Sequence, residues 1–263
     1  EAGLDLTTGE RNICIGTIAA EEITTADDII AIGFRSGGGG AAAATTGHDN
    51  ISIGTSACNV LTTGHSNVVV GRSAAEFMTT GHSNVIIGYK ACEAGTALTT
   101  GRNNVIIGRE INAGFADRID SIIIGDSVTG TGNAQFTFGS GTTDSNIALG
   151  ATSITAPSDE RYKEEITTST AGLSFINDLR PVTFKWKKEK DIPSTHASYV
   201  ADSDTRVMNR GEKVQHGFIA QEVKTVIDNH SEIKDGFEMW MEDDVDGRQR
   251  LAPSELIPML VKA

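Results

Sequence analysis

A repeat of 17 residues constrains this chain more than any other feature of its sequence. Five segments share a TTG turn, an asparagine and a triplet closed by glycine: "LTTGERNICIG" (6–16), "ATTGHDNISIG" (44–54), "LTTGHSNVVVG" (61–71), "MTTGHSNVIIG" (78–88) and "LTTGRNNVIIG" (98–108). Weaker copies close at Gly33, Gly125 and Gly150, and the eight closing glycines are 17, 21, 17, 17, 20, 17 and 25 residues apart. Such a unit is too short for a helix pair, and a turn followed by three β-branched or apolar residues predicts one coil of a β-solenoid.

Each copy carries apolar residues three and one positions before its closing glycine, and we expect this face to point into the coil. The pairs are Ile13/Ile15, Ile30/Ile32, Ile51/Ile53, Val68/Val70, Val85/Ile87, Val105/Ile107, Ile122/Ile124 and Ile147/Leu149. The residue between them is uncharged in every copy, although we expect it to face outward. We expect an uncharged outward row to be buried against another surface, and further copies of the same chain are the simplest partner.

Two polar rows accompany the strands. Asparagines four positions before the glycine predict a stacked row that bonds the turn backbones: Asn12, Asn50, Asn67, Asn84, Asn104 and Asn146. His48, His65 and His82 share one position in successive units, which invites a metal or pH-switch interpretation. The same position holds acidic and basic residues in other units, as at a solvated edge. We therefore predict no metal site and no cofactor, with these three histidines as the only metal candidates.

Composition excludes several classes of function. The formal net charge is -13, so we expect no nucleic-acid partner, and no run of about 18 apolar residues suggests membrane insertion. Cys14, Cys58 and Cys92 are predicted to be unpaired, which fits assembly in a reducing cytoplasm. The chain starts at Glu1 with the repeat running by Leu6, so we expect it to be a C-terminal piece of a longer protein.

The character of the sequence changes after Pro157. Glycine falls from 24 of the first 157 residues to 5 of the last 106, and both tryptophans lie in the second part. We expect a helix and then a strand in 171–186, a strand leading into a helix in 214–230, a hairpin in 237–251 and a helix from 254. The predicted domains are a repetitive β-solenoid over 1–157 and an α+β domain over 158–263.

The stretch "SDERYKEEI" (158–166) opens the second domain and has two interpretations. Ser158 is a plausible helix N-cap, with acidic residues in the first turn and Lys163 simply solvated. Alternatively, Ser158 is a nucleophile whose proton is taken by Lys163, which requires the pKa of the lysine to be lowered by burial. The spacing of serine and lysine does not decide between the two.

"SDERYKEEI" after a repetitive region, followed by "LRPVTFKW", "HGFIAQEV" and "LAPSELIPMLVKA", resembles the C-terminal intramolecular chaperone of phage tail fibres and tail spikes, the peptidase S74 (endosialidase-type) family. The resemblance implies an all-β trimeric solenoid of 17-residue repeats, β-roll or β-helix-like, followed by a small α+β chaperone domain. It also implies that this domain templates the trimer and then cuts itself off. Ser158 would be the nucleophile, Lys163 the general base and Pro157-Ser158 the scissile bond, in a single turnover without an external substrate.

The resemblance further implies a virion location, with assembly in the host cytoplasm and release of the chaperone domain after cleavage. The expected partners are two further copies of the chain, upstream fibre components and a host-surface receptor that is a glycan or an outer-surface protein. The alternative is a trimeric bacterial surface adhesin whose C-terminal assembly domain is not cleaved. An enzymatic region upstream of Glu1 remains open.

Overall fold

A computed structural model describes residues 1–38, 40, 44–151, 153–155, 158–208, 212–233, 237–243 and 247–262. The chain divides into two compact units, Glu1–Tyr162 and Lys163–Ala263. Within these ranges, the structure contains no helix with the length and apolar character of a membrane span. The two units are described in turn.

The first unit is built on one nine-stranded sheet in which the strands follow one another in chain order. Its strands are β1 (Ile13–Ile15), β2 (Ile30–Ile32), β3 (Ile51–Ile53), β4 (Val68–Val70), β5 (Val85–Ile87), β6 (Val105–Arg109), β7 (Ile122–Asp126), β8 (Gln135–Ser140) and β9 (Thr143–Ala148). Strands β1 to β8 are parallel and pair at equivalent repeat positions. The repeat therefore forms a β-solenoid of about seven turns, one turn per 17-residue unit, as the sequence predicts.

The predicted orientation of the strands is wrong. The middle residue of each triplet points into the coil: Ala31, Ser52, Val69, Ile86, Ile106 and Ile123 are fully buried. The flanking residues point outward and are half-buried or exposed in β1 to β7. The interior is thin, because the opposite wall brings small residues such as Ala57 and Cys58 to it. The uniformly large β-branched residues are therefore left on the outer face of the sheet.

The interior is completed by residues three, four and seven positions after a closing glycine. In the middle coils these rows hold small residues followed by one long apolar side chain, and all are fully or almost fully buried: Ala57, Cys58, Leu61, Ala74, Ala75 and Met78. Close packing of small side chains keeps each coil narrow. The periodic glycine, alanine and cysteine content of the first unit follows from this geometry.

The closing glycines are required by both conformation and space. Gly71 has a φ of 138°, a region that L side chains rarely adopt, and a Cβ there would overlap the carbonyl of Gly88 in the next coil. The TTG glycine Gly64 likewise has the carbonyl of Gly81 against its Cα. Successive coils therefore approach each other through glycine backbone at two fixed positions.

The last predicted copy, which closes at Gly150, is not a solenoid coil. Strand β8 supplies the eighth equivalent position instead, because Phe136, Phe138 and Gly139 pair in register with β7. Strand β9, which contains Asn146, runs back antiparallel to β8 as a hairpin. Strand β9 thereby covers the free edge of β8, the last parallel strand of the sheet. The 21-residue spacing between Gly33 and Gly54 contains the stretch "GGGGAAAA" (37–44), which supplies the extra residues and lies partly outside the described residues, since these exclude 39 and 41–43.

An arginine ends the regular stack. Arg118 occupies the position of the TTG glycine in the unit that closes at Gly125, and it is fully buried. Its guanidinium donates to the carbonyls of Ala113 and Gly132 and to Ser121 Oγ at 3.2 Å. It also lies 5.3 Å from the centre of the Phe115 ring. Arg118 thus satisfies backbone carbonyls at the point where the regular coils stop.

The second unit is a small α+β fold, as the sequence predicts. Its elements are α1 (Leu173–Asp178), β10 (Val182–Phe184), β11 (Gln215–Gly217), α2 (Ala220–Asn229), β12 (Trp240–Glu242), β13 (Gln249–Leu251) and α3 (Ile257–Lys262). Strands β10 and β11 form one antiparallel pair, and β12 and β13 form the predicted hairpin. Phe175 of α1 is fully buried in the core with Val223, Ile227 and Met239, whereas Leu173 is exposed.

Candidate functional site

The outer face of the solenoid sheet carries a continuous apolar stripe. We define this outer stripe as the residues three and one positions before each closing glycine in β1 to β7. Ile13, Ile15, Ile87 and Ile124 are exposed to between 36% and 57%, and the other stripe residues are half-buried. Two large aliphatic side chains per coil over seven coils make an apolar surface of the kind that marks protein interaction sites.

Buried asparagines form a hydrogen-bonded ladder along the solenoid. Asn84 Oδ1 accepts from the backbone N–H of Asn104 at 3.1 Å and from its Nδ2 at 2.9 Å. Asn84 Nδ2 donates to Asn67 Oδ1 at 3.1 Å and to the carbonyl of Gly101 at 2.9 Å. The same pattern joins Asn50 to Asn67. The predicted row is therefore present in the central coils and serves structure.

The ends of the row differ from the prediction. Ile29 separates Asn12 from Asn50 along the row. Asn12 Oδ1 accepts a hydrogen bond from the backbone N–H of Ile29 at 2.9 Å. Asn146 lies on the hairpin strand β9 and accepts from Thr155 Oγ1 at 2.8 Å, so it is not a member of the ladder. The ladder is therefore interrupted where Ile29 takes the asparagine position, and it does not extend to Asn146 because β9 runs in the reverse direction.

The three histidines stack on an exposed edge of the solenoid. The ring centres of His48 and His65 are 5.2 Å apart, and those of His65 and His82 are 4.8 Å apart, with nearly parallel planes. His48 Nδ1 lies 2.6 Å from Asp49 Oδ2, and Arg102 follows His82 in the next coil. Among the described residues no group of three or more His, Cys, Asp or Glu side chains is arranged to hold a metal ion.

The cysteines are free thiols in the structure. Burial raises the pKa of Cys58 to about 12, and burial also raises the pKa of Cys92 and of the less buried Cys14. The thiolate is the reactive form of cysteine. Cys58 and Cys92 are therefore packing residues of the solenoid interior.

The segment that contains the predicted nucleophile is exposed from Ser158 to Thr170. A short 3-10 helix spans Glu160–Tyr162, and Asp159 Oδ1 accepts the backbone N–H of Arg161 at 2.9 Å. Hydrogen bonds from Arg161 lower the pKa of Asp159. Ser158 falls in the first compact unit and Lys163 begins the second. Their pairing stays a prediction, and Pro157 of the predicted scissile bond lies outside the described residues.

One histidine of the second unit links two helix ends. His230, which follows α2, has Nε2 2.9 Å from Asp178 Oδ2 at the end of α1 and Nδ1 2.9 Å from Glu232 Oε1. Its ring also packs edge-on against Phe175. These two carboxylates raise the pKa of His230 above its usual value of 6.5, Glu232 by the larger effect. The sequence pattern did not identify this residue, because its partners are 52 and 2 positions away.

Comparison with known proteins matches one family model to part of the chain. Residues 158–232 match the family model Peptidase_S74, described as chaperone of endosialidase. No match was found among curated proteins or among solved structures. The match, together with the β-solenoid that precedes it, confirms the resemblance to the C-terminal region of a phage tail fibre or tail spike. The matched domain fits a C-terminal chaperone role in such a fibre.

Proposed function

We propose that this chain is the C-terminal part of a phage tail fibre or tail spike in which residues 158–263 template a trimer and then cleave themselves from it. The observation that carries this proposal is the family match, which begins at Ser158, the residue predicted to be the nucleophile. In the proposed mature state, residues 1–157 stay on the virion and contact the host surface.

The outer stripe supports assembly from several copies. Apolar side chains on seven successive coils are costly to leave in water. Complete burial of such a side chain from an exposed state contributes on the order of 1.5–3 kcal/mol, and the half-buried members of the stripe gain part of this. In a trimer, three such stripes face one another along the fibre axis. The proposed interface is therefore the outer stripe, and not the middle residues of the triplets, which were expected from the sequence to face outward.

The exposure of Lys163 suggests when cleavage happens. A lysine acts as a general base only when desolvation or a neighbouring charge lowers its pKa, and Lys163 is exposed in the single chain. We infer that neighbouring copies in the trimer bury it. Lys163 would then take the proton from Ser158 Oγ, and the alkoxide would attack the carbonyl of Pro157. The Pro157–Ser158 C–N bond would break as the protonated Lys163 returns the proton to the leaving amine, which becomes the new N-terminus of Ser158. Water would then hydrolyse the ester between Pro157 and Ser158 Oγ, which frees the carboxylate of Pro157 and restores the hydroxyl.

Denaturing gels and N-terminal sequencing of the full chain test cleavage, with Ser158→Ala and Lys163→Ala as the key variants. Ser169→Ala and Lys185→Ala are matched controls, because both residues are exposed and lie in the segment 158–232 that matches the family model. We expect the parent and both controls to yield a fragment of 106 residues that begins at Ser158, while both key variants stay whole. If all five proteins stay whole, the second domain is a permanent assembly domain and the proposed cleavage is wrong.

Sedimentation analysis tests the trimer. Ile87→Lys places a charge on the outer stripe, and Thr80→Lys places the same charge on an exposed turn of the same repeat unit. We expect the parent and Thr80→Lys to sediment as trimers and Ile87→Lys to dissociate or aggregate. A monomeric parent, or a trimer that tolerates Ile87→Lys, would contradict the proposed interface.

A further inference from the structure

The solenoid departs from its 17-residue period between Gly88 and Gly108, and a polar cleft lies at this departure. The spacing there is 20 residues, and the extra residues fall around Glu93 and Gly95. The cleft has a volume of about 430 Å³ and is lined by residues of three consecutive coils. This volume lies in the range of small-molecule sites, about 300–1,000 Å³.

The walls of the cleft are held in place by the chain itself. Asn112 Oδ1 accepts the backbone N–H of Thr96 at 3.0 Å and that of Gly114 at 2.9 Å, which fixes the orientation of its amide. Lys90 Nζ donates to Glu93 Oε1 at 3.1 Å. Because the inserted residues are tied to the next coil, the cleft is preformed and a ligand would not have to order it.

Several polar groups of the cleft have no hydrogen-bond partner among the described residues. Glu93 Oε2 is buried and unpaired, and buried oxygens of this kind normally have a donor. Asn112 Nδ2 donates no hydrogen bond there, and the hydroxyls of Ser127 and Thr129, which line the same cleft, make none. The wall of the cleft therefore carries a buried unpaired acceptor, an amide donor and two hydroxyls on adjacent coils.

From this arrangement we propose that the cleft binds a neutral sugar unit of a surface glycan. Sugar hydroxyls both donate and accept, so they match a wall that presents donors and acceptors about one coil spacing apart. Glu93, Glu110 and the neighbouring Asp126 outnumber the cations Lys90 and Arg109, which disfavours acidic sugars. This site rests on the proposed host-contact function and gives it a location and a ligand class.

Saturation-transfer NMR of the full chain tests the proposal with methyl glycosides of glucose, galactose and mannose as probes. Glucuronic acid and N-acetylneuraminic acid serve as acidic comparators. We expect transfer to at least one neutral glycoside and none to the acidic sugars. Glu93→Gln should weaken binding about tenfold or more, since hydrogen bonds to charged groups are worth about 1.5–3 kcal/mol. Ser127→Ala, which leaves the Lys90 pair intact, should weaken it severalfold.

Glu76→Gln is the matched control, because Glu76 occupies the position of Glu93 in the preceding regular coil. It should bind as the parent does. Absence of transfer from all neutral glycosides, equal binding by Glu93→Gln, or binding abolished by EDTA would overturn the proposal. Cleavage and sedimentation of the same preparations distinguish failure of the sugar site from failure of the proposed function. If the chain is cleaved and trimeric but binds no sugar, only the sugar site is wrong. If the chain binds sugar but is not cleaved, the sugar site stands and the proposed cleavage is wrong.

Discussion

Removal of one asparagine from the buried ladder should open the solenoid locally. In Asn84→Ala, the backbone N–H of Asn104 loses its acceptor, while the carbonyl of Gly101 keeps a weaker donor, the His82 N–H at 3.3 Å. One orphaned buried N–H costs about 1–3 kcal/mol, and each of the other three lost hydrogen bonds, to Asn104 Nδ2, Asn67 Oδ1 and the Gly101 carbonyl, about 0.5–1 kcal/mol. The free energy of local opening should therefore fall by about 2.5–6 kcal/mol.

Hydrogen exchange with mass spectrometry measures this change, because about 1.4 kcal/mol corresponds to a factor of ten in the opening equilibrium. Peptides over 98–108 should exchange about 60 to 20,000 times faster in Asn84→Ala than in the parent. Asn103→Ser is the control: Asn103 is exposed, and serine occupies its position at 66 and 83 with the same positive φ near 58°. A change below threefold, or an equal change in the control, would refute a structural role for the ladder.

Three further variants test other parts of the structure. Gly71→Ala should lower the free energy of unfolding by about 3 kcal/mol or more, because the new side chain is strained at positive φ and overlaps the carbonyl of Gly88. Thermal unfolding followed by far-UV circular dichroism measures this loss, and an unchanged melting temperature would contradict it. Arg118→Met should destabilise the same transition by about 1–3 kcal/mol, because the buried carbonyl of Ala113 loses the Arg118 donor and the half-buried carbonyl of Gly132 keeps only the Ser121 hydroxyl at 3.3 Å; a more stable variant would contradict this. His230→Gln should destabilise the second unit more at pH 6 than at pH 8.5, because the two carboxylates raise the folded pKa of the histidine; the contribution of its charge is complete below about 6.5 and is lost as pH rises through the folded value. Tryptophan fluorescence reports unfolding of this unit, which contains both tryptophans, and a loss that is equal at both pH values would exclude charge as the cause.

The sequence predicted the architecture because the repeat is strict, but it could not assign the faces of such short strands. A triplet closed by glycine has uncharged and mostly apolar residues at all three positions, so alternation alone does not separate inside from outside. The missed signal was size: the inward row contains Ala31 and Ser52, which suit a thin interior, whereas the outward row is uniformly large. The copy closing at Gly150 was misassigned because its 25-residue spacing hides a hairpin whose first strand carries the true register glycine, Gly139.

The regularity that makes the fold predictable also explains why such a fibre needs a template. The outer stripe presents isoleucine or valine at every equivalent position of β1 to β7, so two chains displaced by one 17-residue unit would bury nearly the same apolar area as two aligned chains. Register is weakly specified wherever alternative pairings bury the same surface. A compact domain at one end, which trimerises before the coils do, would remove this ambiguity. Its later cleavage would leave a fibre that is held by a kinetic barrier. In the proposed assembly, the chaperone domain would therefore provide the alignment that the similar coils cannot provide for themselves.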